Sequence, residues 1–266
     1  MKIVVCIKQV PEVTNVQVNP ETGTLVREGV QSILNPFCEY TLDHAVRIAR
    51  EDGNTEITAI TMGPSQAKDA LLRSLELGAD QGILVTDRKF AGADTWATAL
   101  TLATAIRHAV PDYDLILVGK QAIDGDTAQV GPELAEILGL PQVTYGVEVS
   151  LSSSRRHVHV RREIEHGYEV IEAALPALVT VSKGEVVRRA PSFQDLMLSR
   201  RKTIRILSAK ELNIPEEETG LKGSFTQVVK VFPPQNRKRC HMIQGADAEN
   251  AALEILAFLK ERRFLP

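Results

Sequence analysis

Short apolar runs recur along the first part of the chain, separated by segments of helical period, and no other feature of the sequence restricts the fold as tightly. Ile3–Ile7, Ile57–Met62, Gly82–Val85 and Leu115–Val118 read as buried strands, being short, apolar and rich in β-branched residues. Gly63-Pro64 opens a helix over Ser65–Leu77, since proline at the first helical position sacrifices no hydrogen bond. Ala67, Leu71 and Leu75 fall on one stripe of that helix, and Gly78 stands where it should stop. Asp94 is placed to cap a helix over Thr95–Ala109, with Leu102 and Ile106 facing inward. Pro132–Leu138 reads as a short helix, and another strand begins at Gln142–Tyr145. Strands joined by helices need crossover connections, so the expectation is an α/β fold with a doubly wound, mainly parallel sheet. Ligands bind such sheets outside the C-terminal ends of the strands, where strand order reverses. That rule selects the loops after Ile7, Met62 and Val118.

The pattern changes near Val147. The stretch VEVSLSSSRRHVHVRREIEHGYEVIEAALPALVTV reads as strand, polar turn, strand, glycine turn, strand, and then a buried strand at Ala177–Val181. This is an antiparallel extension of the sheet. Beyond Lys183 the α/β rhythm is lost: RRAPSFQDLMLSRRKTIRIL and FPPQNRKRC have the look of an arm, and an amphipathic helix over Ala248–Lys260 closes the chain with Ala252, Leu256 and Leu259 on one stripe. The expected division is an α/β domain over 1–190 and a C-terminal arm and helix over 191–266 that wraps a partner subunit.

Composition removes several classes of function. With 266 residues, a net charge of −3 and a pI near 6.1, the chain has no global basic surface for nucleic acid. The run Arg200-Arg201-Lys202 reads as solvated or subunit-facing. Three cysteines, Cys6, Cys38 and Cys240, without a C-x-x-C pair, argue against a disulfide framework, a zinc ribbon or an iron–sulfur site. No run approaches the roughly 20 apolar residues of a membrane span, and Ile3–Ile7 is too short for a signal peptide. A soluble, cytoplasmic protein is expected, or an organelle-matrix one.

The segment GKQAIDGDTAQVGPEL, residues 119–134, carries the strongest local signal. Backbone N–H groups at a loop-to-helix junction attract anions, and Gly119, Gly125 and Gly131 permit tight turns and close approach. Thr127 and Gln129 add side-chain donors. Two aspartates, Asp124 and Asp126, sit awkwardly in a phosphate cradle that has only Lys120 as a cation. A plain loop with Asp126 as the helix cap fits the residues equally well. The chain lacks G-x-G-x-x-G, G-x-x-x-x-G-K-[ST], G-x-S-x-G and H-E-x-x-H, which excludes the common dehydrogenase, P-loop, hydrolase and zincin machineries. His157 and His159 share one strand face but have no third ligand nearby in sequence, so an exposed hairpin face is the better reading than a metal site. Cys38 stands in no motif with Cys6, and Trp96 at a helix start reads as packing. No catalytic residue and no metal ligand is assigned.

Several blocks, in order, resemble one family: VVCIKQVPE, LNPFCEYTLDHAVRI, TMGPSQAKDALLRSLELGAD, GADTWATA and GKQAIDGDTAQVGPELAEILGLPQ are similar to blocks of the electron transfer flavoprotein β subunit. The stretch VRREIEHGYEVIEAALPALVT resembles its signature, departing at His166, a turn position. The resemblance covers essentially the whole chain. It implies an adenine-nucleotide-binding, Rossmann-like fold and a heterodimer with an α subunit that holds a redox-active FAD. Carried over by position, cofactor contacts fall at Cys6, at Asn35, Pro36, Phe37 and Cys38, and at Met62. They continue at Thr95 and Thr98 and along Gly119, Lys120, Gln121, Ala122, Ile123, Asp124, Gly125, Asp126, Thr127, Ala128, Gln129 and Val130.

Ordinary members of the family bind AMP in the β subunit and electron-bifurcating members bind a second FAD. DGDTAQVGPELAE and ADTWATA resemble the bifurcating form, which implies FAD here with AMP as the alternative. The implied chemistry is hydride transfer from NADH to this flavin. One electron then passes through the α-subunit FAD to an acyl-CoA dehydrogenase and the other to ferredoxin or flavodoxin. APSFQDLML, residues 190–198, matches the family's partner-recognition loop, with Phe193, Leu196 and Met197 as apolar anchors; packing of the arm on the α subunit is the competing reading. A stand-alone nucleotide sensor on the same sheet is a third possibility, against which the long arm argues.

Overall fold

The computed structural model describes residues 1–12, 31–184, 190–229, 242–243 and 247–265. In chain order the strands are β1 (Lys2–Cys6), β2 (Gln9–Pro11), β3 (Ser32–Leu34), β4 (Glu56–Met62), β5 (Gln81–Val85), β6 (Leu115–Gly119), β7 (Gln142–Leu151), β8 (His157–Ile164), β9 (Gly167–Ala174), β10 (Ala177–Val181) and β11 (Ile204–Leu207). The α-helices are α1 (Pro36–Asp52), α2 (Lys68–Leu77), α3 (Thr95–Ala109), α4 (Val130–Leu138), α5 (Phe193–Ser199), α6 (Ala209–Leu212) and α7 (Ala248–Glu261).

Nine strands form one sheet in the order β11-β5-β4-β1-β6-β10-β7-β8-β9, and β2 and β3 make a separate antiparallel pair. Every neighbour from β11 to β7 is parallel, and only β7–β8 and β8–β9 are antiparallel. The fold is therefore the expected doubly wound α/β sheet with an antiparallel extension. From β1 the chain crosses to β4 and β5 on one side and returns to β6 on the other. Strand order thus reverses at β1, and the loops leaving β1 and β6 part there to open a crevice.

The strand sequences explain the layers. In β1, Ile3 and Val5 face one way and Val4 and Cys6 the other, with none above 5% exposed. The first face packs on Leu42, Ala45 and Ile48 of α1 and Leu71 and Leu75 of α2. The second packs on Leu102 and Ile106 of α3 and Leu134 and Ala135 of α4. Helices on both faces bury the central strands twice over, which is why β10 reads ALVTV, apolar but for the buried Thr180, with Ala177, Leu178, Val179 and Val181 all at 0% exposure.

Local differences from the sequence reading have identifiable causes. A 3₁₀ turn over Ser65–Ala67 precedes α2, so the expected single helix begins tighter than α. Helix α4 starts at Val130, two residues ahead of Pro132, because the missing proline N–H costs nothing in the first turn. Periodicity placed no helix between Leu34 and Glu56, yet α1 fills that span, entered at Asn35-Pro36 and closed by Gly53 at φ 73°. The expected arm also rejoins the sheet: β11 pairs in parallel with β5 and buries Leu207, so 204–212 belong with the α/β body. The 190–198 segment is a short helix rather than a loop over Phe193–Ser199, held by a reciprocal Ser192–Asp195 capping box. FPPQNRKRC, with Cys240, lies outside the described residues.

Candidate functional site

One cavity opens at the reversal point, at the C-terminal ends of β1, β4 and β6 and the N-terminal ends of α3 and α4. Its volume of about 410 Å³ lies within the roughly 300–1,000 Å³ of small-molecule sites. The structure brings together around it the residues named from sequence, except Pro36, Phe37, Ile123 and Asp124. Each exception has another position. Pro36 opens α1, and Phe37 backs Gly119 so closely that a Cβ there would meet its Cβ at 3.0 Å. Ile123 is exposed, and Asp124 is engaged by Lys8. Lys8, Asp94 and Gly131 also line the cavity and were not named as contacts; Lys8 directly follows the β1 run, and Asp94 was read only as a cap.

Two polar staples shape the β6–α4 loop. Asn35 is buried, donates from Nδ2 to the Gln121 carbonyl at 2.8 Å and accepts the Ile123 N–H at 3.3 Å. Lys8 Nζ lies 2.8 Å from Asp124 Oδ1, fixing the loop to the segment after β1. Asp126 accepts a hydrogen bond from Gln121 Nε2 within the loop. The alternative of Asp126 as a helix cap does not hold, because the N-cap of α4 is Gln129, which makes no side-chain capping bond. Asp124 therefore turns its charge onto Lys8, and Asp126 braces the loop through Gln121 while lining the cavity.

That arrangement leaves the amides free. Among the described residues, the backbone N–H groups of Thr127, Ala128, Gln129, Val130 and Gly131 donate to no protein acceptor. Asp126 and Ala128 sit at φ 61° and 56°, the left-handed region, which costs an L-residue roughly 1–2 kcal/mol. Such strain concentrates where backbone is aimed at a ligand. Gly131 lets α4 start this close to the sheet: a Cβ there would fall 2.5 Å from Thr180 Cγ2. The result is a run of donors at the positive end of a helix, fit for a phosphate or diphosphate.

The opposite wall comes from α3. Asp94 caps it, accepting the Ala97 N–H at 3.0 Å. Its second oxygen takes the Thr226 N–H at 2.9 Å and hydroxyl at 3.0 Å, while its own N–H donates to Ser224 Oγ at 2.8 Å. The stretch 224–226 is thereby latched to the cavity rim, and Trp96 packs on Phe225 with ring centroids 5.6 Å apart, the packing role expected of it. Thr95 and Thr98 line the cavity. On the β6 side, Lys120 Nζ stands 4.7 Å from the centre of the Tyr145 ring.

Cys6 and Cys38, unrelated in sequence, meet beneath the cavity, the Cys38 thiol lying 3.9 Å from the Cys6 carbonyl. Burial pushes both thiols well above their ordinary range, so they are apolar packing rather than nucleophiles. Neither supplies proton-transfer chemistry. His157 and His159 face Glu172 across the β8–β9 ladder at 3.9 and 3.4 Å, and no His/Cys/Asp/Glu group able to hold a metal ion occurs among the described residues. Phe193 is 79% exposed, and Met197 and Leu196 are also exposed, on α5. No described helix is long and apolar enough to cross a membrane.

The electron transfer flavoprotein domain model matches residues 22–212. The chain is 44% identical over 266 residues to the electron transfer flavoprotein subunit beta of Thermoanaerobacterium thermosaccharolyticum, covering 100% of both chains. It is 42% identical to the caffeyl-CoA reductase-Etf complex subunit CarD of Acetobacterium woodii, again covering 100% of both. With protein FixA of Azorhizobium caulinodans it shares 41% identity, over 98% of this chain and 95% of the other.

Proposed function

The chain belongs to the electron transfer flavoprotein family as a β subunit, and from that premise we propose that it binds FAD and works as the NADH-oxidising half of an electron-bifurcating heterodimer. The observation that carries the reading is the run of unpartnered amides from Thr127 to Gly131 against a cavity at the strand reversal. These groups fit the diphosphate of a dinucleotide. Thr95, Thr98 and Lys120 fit the sugar-alcohol and ring portion beyond it. When bound, FAD supplies the redox chemistry, taking up a hydride from NADH and giving up two electrons one at a time.

The chain's own contribution is binding and placement. Asn35 and Lys8 hold the loop, Asp124 and Asp126 brace it without masking its amides, and α4 directs its dipole at the phosphates. A flavin held here would supply electrons to the FAD of the α subunit and an acyl-CoA dehydrogenase on one side and to ferredoxin or flavodoxin on the other. Phe193, Leu196 and Met197 dock the dehydrogenase, their exposure on a capped helix being the supporting feature. A relative named as a subunit of a caffeyl-CoA reductase complex supports an acyl-CoA-handling partner.

The test is anaerobic mixing of the purified heterodimer with NADH while the flavin absorbance is followed. Bleaching without any added dehydrogenase is expected. A heterodimer whose flavin stays oxidised under excess NADH would overturn the proposal in favour of structural AMP in this subunit.

A further inference from the structure

We propose that Glu133 is a positioning residue that makes the Thr95 hydroxyl a hydrogen-bond acceptor toward the cavity, so that Thr95 selects for a donor on the flavin portion of FAD that AMP does not possess. The inference rests on the reading of the cavity as an FAD site. Thr95 Oγ1 donates to Glu133 Oε1 at 3.0 Å. A hydroxyl has one proton, and once it is committed only lone pairs remain to meet a ligand. Thr95 lines the cavity whereas Glu133 does not, so the carboxylate acts through the threonine.

Glu133 sits in the first turn of α4, and its other oxygen, Oε2, is buried without a hydrogen-bond partner among the described residues. Burial, and secondarily the nearby Asp94 carboxylate, raise its proton affinity against the Thr95 bond, which lowers it. A proton taken up there goes to the unpartnered Oε2. Oε1 accepts from Thr95 in either state, so the hydroxyl keeps one polarity. Asp94, the cap of the facing helix, is spent on Ala97 and Thr226 and does not compete for the Thr95 proton. A ligand N–H or O–H donor, as on the isoalloxazine imide or the ribityl chain, is the matching group.

The test uses the full chain produced with its α subunit, stripped of nucleotide and titrated separately with FAD and with AMP. Thr95→Val is expected to weaken FAD binding about tenfold, the scale of one hydrogen bond. Glu133→Met, which fills the space without an acceptor, is expected to weaken it equally, and the double variant no further than either. Glu133→Gln, which keeps an accepting oxygen and loses the charge, should stay within about twofold of the parent. AMP binding should be unchanged throughout. FAD binding unaffected by Glu133→Met, additive losses, or an equal loss for AMP would each overturn the inference. A Glu133→Gln chain as weak as Glu133→Met would also overturn it, pointing to charge at the helix terminus instead. A parent complex that takes AMP but no FAD in this subunit overturns the underlying reading and the inference with it.

Discussion

Asp124 and Asp126 show how far residue-level reading reaches. Two negative charges in an anion cradle were visible in the sequence, but the pairing of Asp124 with Lys8 was not, since 116 residues separate them and only the fold brings them together, whereas Asp126 meets Gln121 within the loop itself. The small residues were more legible. Gly131 was singled out for close approach, and the structure gives the reason in Thr180. Gly131→Ala should cost about 1–3 kcal/mol by overpacking and lower the nucleotide content together with the melting temperature. An unchanged melting temperature would contradict the close approach. His44 was invisible to the sequence reading. It is buried in α1, and burial, with Arg47 beside it, pushes its pKa from 6.5 down to about 4. The folded state therefore disfavours the imidazolium. Its contribution to stability is intact above the unfolded pKa of 6.5 and is lost as pH falls toward 4. Urea unfolding should show a loss on the order of 3 kcal/mol across that window from this residue, absent in His44→Gln; parallel pH profiles for the two chains would refute it.

At the scale of elements, what was readable depended on how cleanly period and punctuation coincided. The buried strands were readable as short apolar runs, two of them closed by glycine at Gly63 and Gly119, and α3 as a run that begins at the N-cap Asp94. Helix α1 was missed although Cys38, Leu42, Ala45 and Ile48 recur at helical spacing, because Thr41 and His44 interrupt the buried face with polar side chains. Strand β11 was hidden in the supposed arm, since IRIL is short and three of its residues are not buried. The α5 segment illustrates exposure that packing does not explain: Phe193, Leu196, Met197 and Leu198 stay in solvent while the capping box secures the helix. Replacing Phe193, Leu196 and Met197 together by alanine should leave flavin content and NADH bleaching as they are. Electron transfer to the acyl-CoA dehydrogenase should fall at least tenfold, the scale of lost apolar anchors. Loss of the flavin instead would show that α5 belongs to the cofactor site or to the α-subunit contact.

Across the whole molecule, the sheet, its reversal point and the loops around the cavity form one connected device. Strand–helix alternation nominated the loops after Ile7, Met62 and Val118, and the strand order that places the reversal at β1 came from the structure. What the alternation does not contain is the ligand. Free amides recognise phosphate in AMP and in FAD alike, and under the proposed reading the distinction would fall to the far wall of Thr95, Thr98 and Lys120. The C-terminal helix points outward in the same sense: α7 buries none of its residues, and Leu253, Ile255, Leu256 and Phe258 are exposed, a surface suited to an α-subunit partner. The decisive measurement is the nucleotide content of the purified heterodimer, released by denaturation and quantified by chromatography. Two FAD per heterodimer and no AMP is the expected result; one FAD accompanied by one AMP would contradict the account at its centre.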